Sequence, residues 1–119
     1  DANPLAADRG ELLEVRTEFT PGHAQQVSFS VRGAKIVYDV AKQQLIVNGH
    51  PARAPLREGK QRMAIFVDRT GLDVYASDGL TFVPMPFLAP PENQSLEVAV
   101  TGGTARFDVL QVHALTSAW

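Results

Sequence analysis

An all-β fold, an antiparallel two-sheet β-sandwich of about ten strands, follows from three observations. Apolar and polar residues alternate with period two through most of the apolar segments. Glycine, proline and Asx-Gly pairs interrupt those segments at short, regular intervals. No segment carries the i, i+3, i+4, i+7 apolar stripe of an amphipathic helix. Because so many strands alternate and so few are apolar throughout, each sheet is expected to bury one face against the other.

The elements follow in chain order. Residues 1–10, with Pro4 and Gly10, show no usable period and read as a linker or tail, leaving 11–119 as a single β-sandwich module. Leu13, Val15, Thr17 and Phe19 alternate with Glu14, Arg16 and Glu18, which predicts a half-buried strand broken at Pro21-Gly22. Val27, Phe29 and Val31 make a second strand that stops at Gly33, residues 36–40 a third, and Leu45-Ile46-Val47 a fourth. Asn48-Gly49 is a favoured two-residue hairpin turn, since both residues tolerate positive φ. Residues 51–59 look loop-like, with room for a short edge strand.

Residues 63–79 predict a strand, a polar Asp68-Arg69-Thr70-Gly71 corner, a second strand and an Asp78-Gly79 hairpin turn. A strand over 80–83 follows, after which Pro84, Pro86, Pro90 and Pro91 are expected to forbid continuous ladder pairing up to Glu92. Leu96, Val98 and Val100 alternate again before Gly102-Gly103. In 105–119 the apolar phase shifts after Val109, which predicts a bulge or corner near Leu110.

Length and composition narrow the function classes. The chain has 119 residues, enough for one domain with a core and too few for two ordinary ones. Hydrophobic residues make up 45% and charged residues 20%, near globular averages, which argues against disorder or a fibre. A net charge of -2 offers no basic excess to release counterions from phosphates, so nucleic acid and an anionic membrane surface are disfavoured as partners. The absence of cysteine excludes disulfides, zinc-thiolate sites, iron-sulfur clusters and thiol nucleophiles. No apolar run reaches bilayer-spanning length and no basic-then-apolar leader opens the chain. A start at Asp1-Ala2-Asn3-Pro4 rather than Met reads as a mature fragment or an excised module, with more weight on excision. His23, His50 and His113 are scattered, with no two at metal-ligand spacing in one element, so no zinc site is expected; calcium stays open without a specific signal. No serine sits in a Gly-x-Ser-x-Gly elbow.

Val67-Asp68-Arg69-Thr70-Gly71-Leu72-Asp73-Val74-Tyr75 resembles the Val-Asp-Arg-Ser-Ser-Val-Glu-Val-Phe pattern in the C-terminal β-sandwich domain of glycoside hydrolase family 32, the invertases, levanases and related fructosidases. The likeness extends to residues 11–19, 35–47 and 112–119, and so covers nearly everything after residue 10. This chain departs from the pattern at Thr70-Gly71, at Tyr75 and above all at Asp73, where the family carries Glu. One methylene shortens that carboxylate's reach by about 1.5 Å. The family's catalytic motifs, Asn-Asp-Pro-Asn, Arg-Asp-Pro and Glu-Cys, lie on a separate five-bladed propeller, and none occurs here. The resemblance therefore implies a jelly-roll, concanavalin-like sandwich without the catalytic domain. Related free-standing sandwiches resemble carbohydrate-binding module family 66, which grips terminal fructosyl units.

Two functions follow as expectations. In the leading one this is a non-catalytic module that binds fructosyl residues of levan- or inulin-type fructans and targets an associated, secreted glycoside hydrolase. In the alternative it is a structural domain that packs on the catalytic propeller without touching sugar. Asp68, Arg69, Asp73 and Tyr75 are the candidate sugar-binding residues, with no catalytic residue, metal or cofactor. A furanose offers adjacent hydroxyls, each donor and acceptor, which carboxylates and a guanidinium fork can match. Each candidate also has a plain structural reading: Asp68 and Arg69 as an ion pair that stabilises the turn, Asp73 facing solvent, Tyr75 half-buried on the sheet. Trp119 reads as a plug at the domain edge. With a single Trp and two Tyr, a small polar pocket is expected rather than an aromatic platform.

Overall fold

The computed structural model describes residues 12–68, 70–88 and 95–115. The tail expected over 1–10, Arg69, the Pro90-Pro91 segment and Trp119 lie outside the described residues.

Among those residues the chain forms ten strands: β1 (Leu12–Thr20), β2 (Gln26–Val31), β3 (Ala34–Asp39), β4 (Gln44–Val47), β5 (His50–Arg53), β6 (Gln61–Val67), β7 (Gly71–Ala76), β8 (Thr81–Pro86), β9 (Leu96–Thr101) and β10 (Arg106–Leu115). They make two five-stranded sheets, in the orders β10-β1-β6-β7-β8 and β5-β4-β3-β2-β9, with every neighbouring pair antiparallel.

The period-two pattern does what it predicts. Val15 and Phe19 of β1, Ile65 and Val67 of β6, and Leu72 and Val74 of β7 meet Val27, Phe29, Val31, Ile36, Tyr38, Leu45 and Val47 of the other sheet in one core. Phe19 is its aromatic hub, with ring centroids 6.2 Å from Phe29, 6.0 Å from Tyr38 and 5.6 Å from Phe107. Burial raises the pKa of the Tyr38 hydroxyl, which donates to the Ala54 carbonyl at 2.7 Å. The neutral form is thus the one the fold holds.

Asn48-Gly49 turns as expected: φ is 47° and 85° at the two positions, and Val47 pairs with His50 across them. At Gly103 the requirement is space, because a Cβ would lie 2.7 Å from the His23 carbonyl oxygen.

Three expectations are corrected. Pro84 and Pro86 do not end the ladder but lie inside β8, opposite Asp73 and Gly71. The strand is at the sheet edge, and spacing two apart turns both missing N–H groups to the unpaired side. The Asp78-Gly79 hairpin is longer than two residues, for Ala76 pairs with Thr81 around a 3₁₀ turn at Ser77–Gly79. The irregularity in β10 falls earlier than Leu110. Glu18 pairs with Val109 and Phe19 with Phe107, so Asp108 is the extra residue and Val109 turns to the outer side.

Candidate functional site

The outer face of the β10-β1-β6-β7-β8 sheet carries the charged and aromatic residues that alternate with the core. Register assembles them into rows. Arg16 of β1 lies opposite Ala64 of β6, Ala64 opposite Tyr75 of β7, and Tyr75 opposite Phe82 of β8. One row along, Glu14, Phe66, Asp73 and Pro84 are aligned in the same way. In the other direction Glu18 faces Arg62. Residues aligned across antiparallel strands share a face, with rows about 7 Å apart.

Ala64 is the low point. Its methyl stands between the long side chains of Arg16 and Tyr75 in its own row and between Phe66 and Arg62 along its strand. The result is an open trough of about 730 Å³, lined among others by Arg16, Arg62, Ala64, Phe66, Asp73 and Tyr75. That volume lies within the usual range for small-molecule sites.

Its walls are organised by ring contacts. Tyr75 stacks on Phe82 at 4.6 Å with 20° between the planes and meets Phe66 nearly at right angles at 5.8 Å. The Arg16 guanidinium lies 5.8 Å from the Phe66 centroid and is ion-paired with Glu14. Tyr75 remains 38% exposed and Phe82 49%, so the pair is a surface feature and not part of the core.

The candidates from sequence separate here. Asp73 and Tyr75 both line the trough, and Asp73 has no hydrogen-bond or ion-pair partner among the described residues. Asp68 lies at the end of the trough, but its Oδ1 accepts the N–H groups of Thr70 at 2.9 Å and Gly71 at 2.6 Å. It builds the β6–β7 turn as an Asx residue. Arg69 is outside the described residues. Arg16, Phe66 and Phe82 escaped notice in the sequence, where nothing marks them as neighbours of Tyr75 until β1, β6, β7 and β8 are placed side by side. With them an aromatic cluster stands where a small polar pocket was expected.

The opposite end of the trough is ionic. Arg62 Nε donates to Glu18 Oε1 at 3.0 Å, and Nη1 donates to both Asp78 oxygens at 3.2 and 3.1 Å. Lys60 Nζ reaches Glu18 Oε2 at 3.2 Å and Asp108 at 3.6 Å. Hydrogen bonds from Arg62, then Lys60, hold the Glu18 carboxyl below the ordinary value of 4.5. Bonds to Glu18 and Asp78 raise the Arg62 pKa in turn, so this guanidinium is a permanent charge. Among the described residues no group of three or more His, Cys, Asp or Glu could hold a metal ion.

Fold and site together define an antiparallel two-sheet β-sandwich module with an aromatic and ionic trough on one outer face. The chain belongs to the family described as "Glycosyl hydrolases family 32 C terminal", whose model matches residues 2–114. It is similar to a levanase from Bacillus subtilis (strain 168), 29% identical over 140 aligned residues that take in 98% of this chain and 21% of that protein. Among solved structures it resembles an exo-inulinase from Aspergillus awamori, with a TM-score of 0.76 at 22% identity over 93% of this chain and 26% of the other. A fructofuranosidase from Schwanniomyces occidentalis complexed with fructosylnystose gives a TM-score of 0.70 at 11% identity over 89% and 28%. At these identities the structural likeness is one of fold. The chain spans about a fifth of the levanase and about a quarter of each of these two enzymes.

Proposed function

We propose that this domain is a non-catalytic module that binds fructosyl residues in the trough over Ala64 and holds an associated, secreted fructan-degrading glycoside hydrolase near its polymer. The carrying observation is the convergence on one concave surface of Asp73, whose carboxylate has no partner among the described residues, with Arg16 and the Tyr75–Phe66 ring pair. The carboxylate accepts from sugar hydroxyls, the guanidinium donates to them, and the rings pack on the C–H faces between. Family membership and the similarity to a levanase favour fructan over other glycans. Glycoside hydrolysis needs two carboxyl groups facing each other across the sugar. Asp68 instead lies just past β6, in the turn to β7 that carries Asp73, and one of its oxygens is committed to that turn.

Affinity for a single unit is expected to be weak, with a Kd on the order of 1 mM, or about 4 kcal/mol. Repetition along a polymer supplies the retention. Calorimetric titration of the domain with fructose, levan and inulin oligosaccharides tests this. Binding of at least one of them, weakened tenfold or more by Asp73→Ala, is the expected result, and no heat with any of them sinks the proposal.

A second reading has its own support. Leu110 and Val112 of β10 are each 45% exposed, and they lie on the same side as Thr17 and Val15, where the inner face runs out past the edge. That strip suits packing against a catalytic domain, a role that requires no sugar response in the same titration.

A further inference from the structure

We infer that the trough holds at least two linked sugar rings laid along β6, with a second subsite at the Arg62–Asp78 end. The inference rests on the fructosyl-binding reading above and extends it to the length of ligand recognised. From Asp68 to Arg62 the trough follows six residues of β6, about 20 Å at strand rise. Asp73 and Arg16 serve one half of that length, while Arg62, Asp78 and Gly79 line the other.

The Arg62 end has the chemistry of a hydroxyl-binding site. Nε and Nη1 of Arg62 are engaged by Glu18 and Asp78, while its Nη2 donors have no partner among the described residues. Two carboxylates on different elements, β1 and the 3₁₀ turn, hold the guanidinium of this trough-lining residue by Nε and Nη1 and leave the Nη2 donors uncommitted among the described residues. Each Asp78 oxygen keeps lone-pair capacity beyond its single bond to Arg62. Donor and acceptor therefore stand side by side, as a vicinal diol requires.

The turn that presents Asp78 is held in an unusual backbone. Ser77, Asp78 and Gly79 have φ of 53°, 56° and 90°, so two consecutive residues other than glycine occupy the left-handed region. Buried Gln61 holds them there: its Oε1 accepts the Ser77 N–H at 2.6 Å, and Ser77 Oγ donates to the Pro55 carbonyl at 2.7 Å. A strained turn, tethered by two buried polar groups and carrying a carboxylate into a cleft, fits a ligand contact better than an ordinary hairpin end.

Titration with fructose, a fructosyl disaccharide and a trisaccharide tests the inference. Affinity is expected to rise about tenfold from mono- to disaccharide. Asp78→Asn preserves the left-handed turn, since Asn tolerates that region, and is expected to bring the disaccharide-to-monosaccharide ratio close to one. Ala64→Leu, which fills the floor, is expected to abolish binding of all three, with an unchanged thermal melt showing that the outward-facing substitution leaves the fold intact. Equal affinity for one and two rings, or a ratio unmoved by Asp78→Asn, overturns the second subsite while fructosyl binding stands. Absence of binding by the wild-type domain overturns both.

Discussion

Asp68 shows how one residue acquires two plausible roles and how geometry weights them. Its Oδ1 accepts two backbone N–H groups, from Thr70 and Gly71, in a turn that joins two core strands. Removing it leaves those donors without their acceptor, at about 1–2 kcal/mol. Asp68→Ala is therefore expected to lower stability by that amount in urea unfolding, and Asp68→Asn, which keeps an Oδ1, by less than half as much. An Asp68→Ala variant as stable as wild type would return the residue to the list of plain ligand contacts. At this scale the sequence was informative about Asp73 and Tyr75, which share a face by simple alternation. It was silent on Phe66, Phe82 and Arg16. Each sits on a different strand from Tyr75, and a period-two pattern carries no information about which strands become neighbours.

Strands and turns were legible wherever local chemistry decides them. Alternation marks the buried side of β1, β2, β6 and β9, and Asn48-Gly49 marks its own turn. Local rules misled where position in the sheet overrides them: prolines that break a central strand are accommodated in β8 because it is an edge. The Glu18 cluster is another product of pairing, since it draws Lys60 and Arg62 to β1, with Asp78 and Asp108 on the far sides of the two cations. It makes a pH prediction of definite sign. Glu18 has a lowered pKa in the folded chain, so its contribution is complete above the ordinary value of 4.5 and is lost as pH falls through the lowered value. Urea midpoints measured from neutrality into the acid range are expected to decline in that window. Glu18→Gln is expected to flatten the decline while lowering stability at neutral pH. An acid limb identical in the two proteins would show that the cluster contributes nothing. Added salt is expected to shrink the difference, because the side chains are partly exposed.

At the scale of the whole molecule the decisive contact is the one between the first and last described strands. β10 pairs with β1 along its length, from Thr20 opposite Arg106 to Leu12 opposite Leu115, and so sets the last described strand beside the first. Nothing local specifies that closure, which is why strand order was beyond reach of the sequence although strand number was not. Its energetic weight is large. Phe107 is partly buried and packs against the aromatic centre of the core, 5.6 Å from Phe19 and 6.5 Å from Phe29. Truncating a fully buried ring to alanine ordinarily costs about 3–5 kcal/mol, and a partly buried one less, against a total stability of about 5–15 kcal/mol for a domain. Removing residues 106–119 would take away Phe107, a complete ladder and the cover over β1, leaving Leu13, Val15, Thr17 and Phe19 on an open edge. The shortened chain is expected to lose cooperative urea unfolding and its near-ultraviolet dichroism while keeping some strand signal. If it instead unfolds with a slope close to that of the full chain, β10 is an accessory strand and the core closes without it. Because this pairing spans the described chain, refolding of the intact domain should also be slow, in the range of about milliseconds to seconds typical of non-local β-topologies.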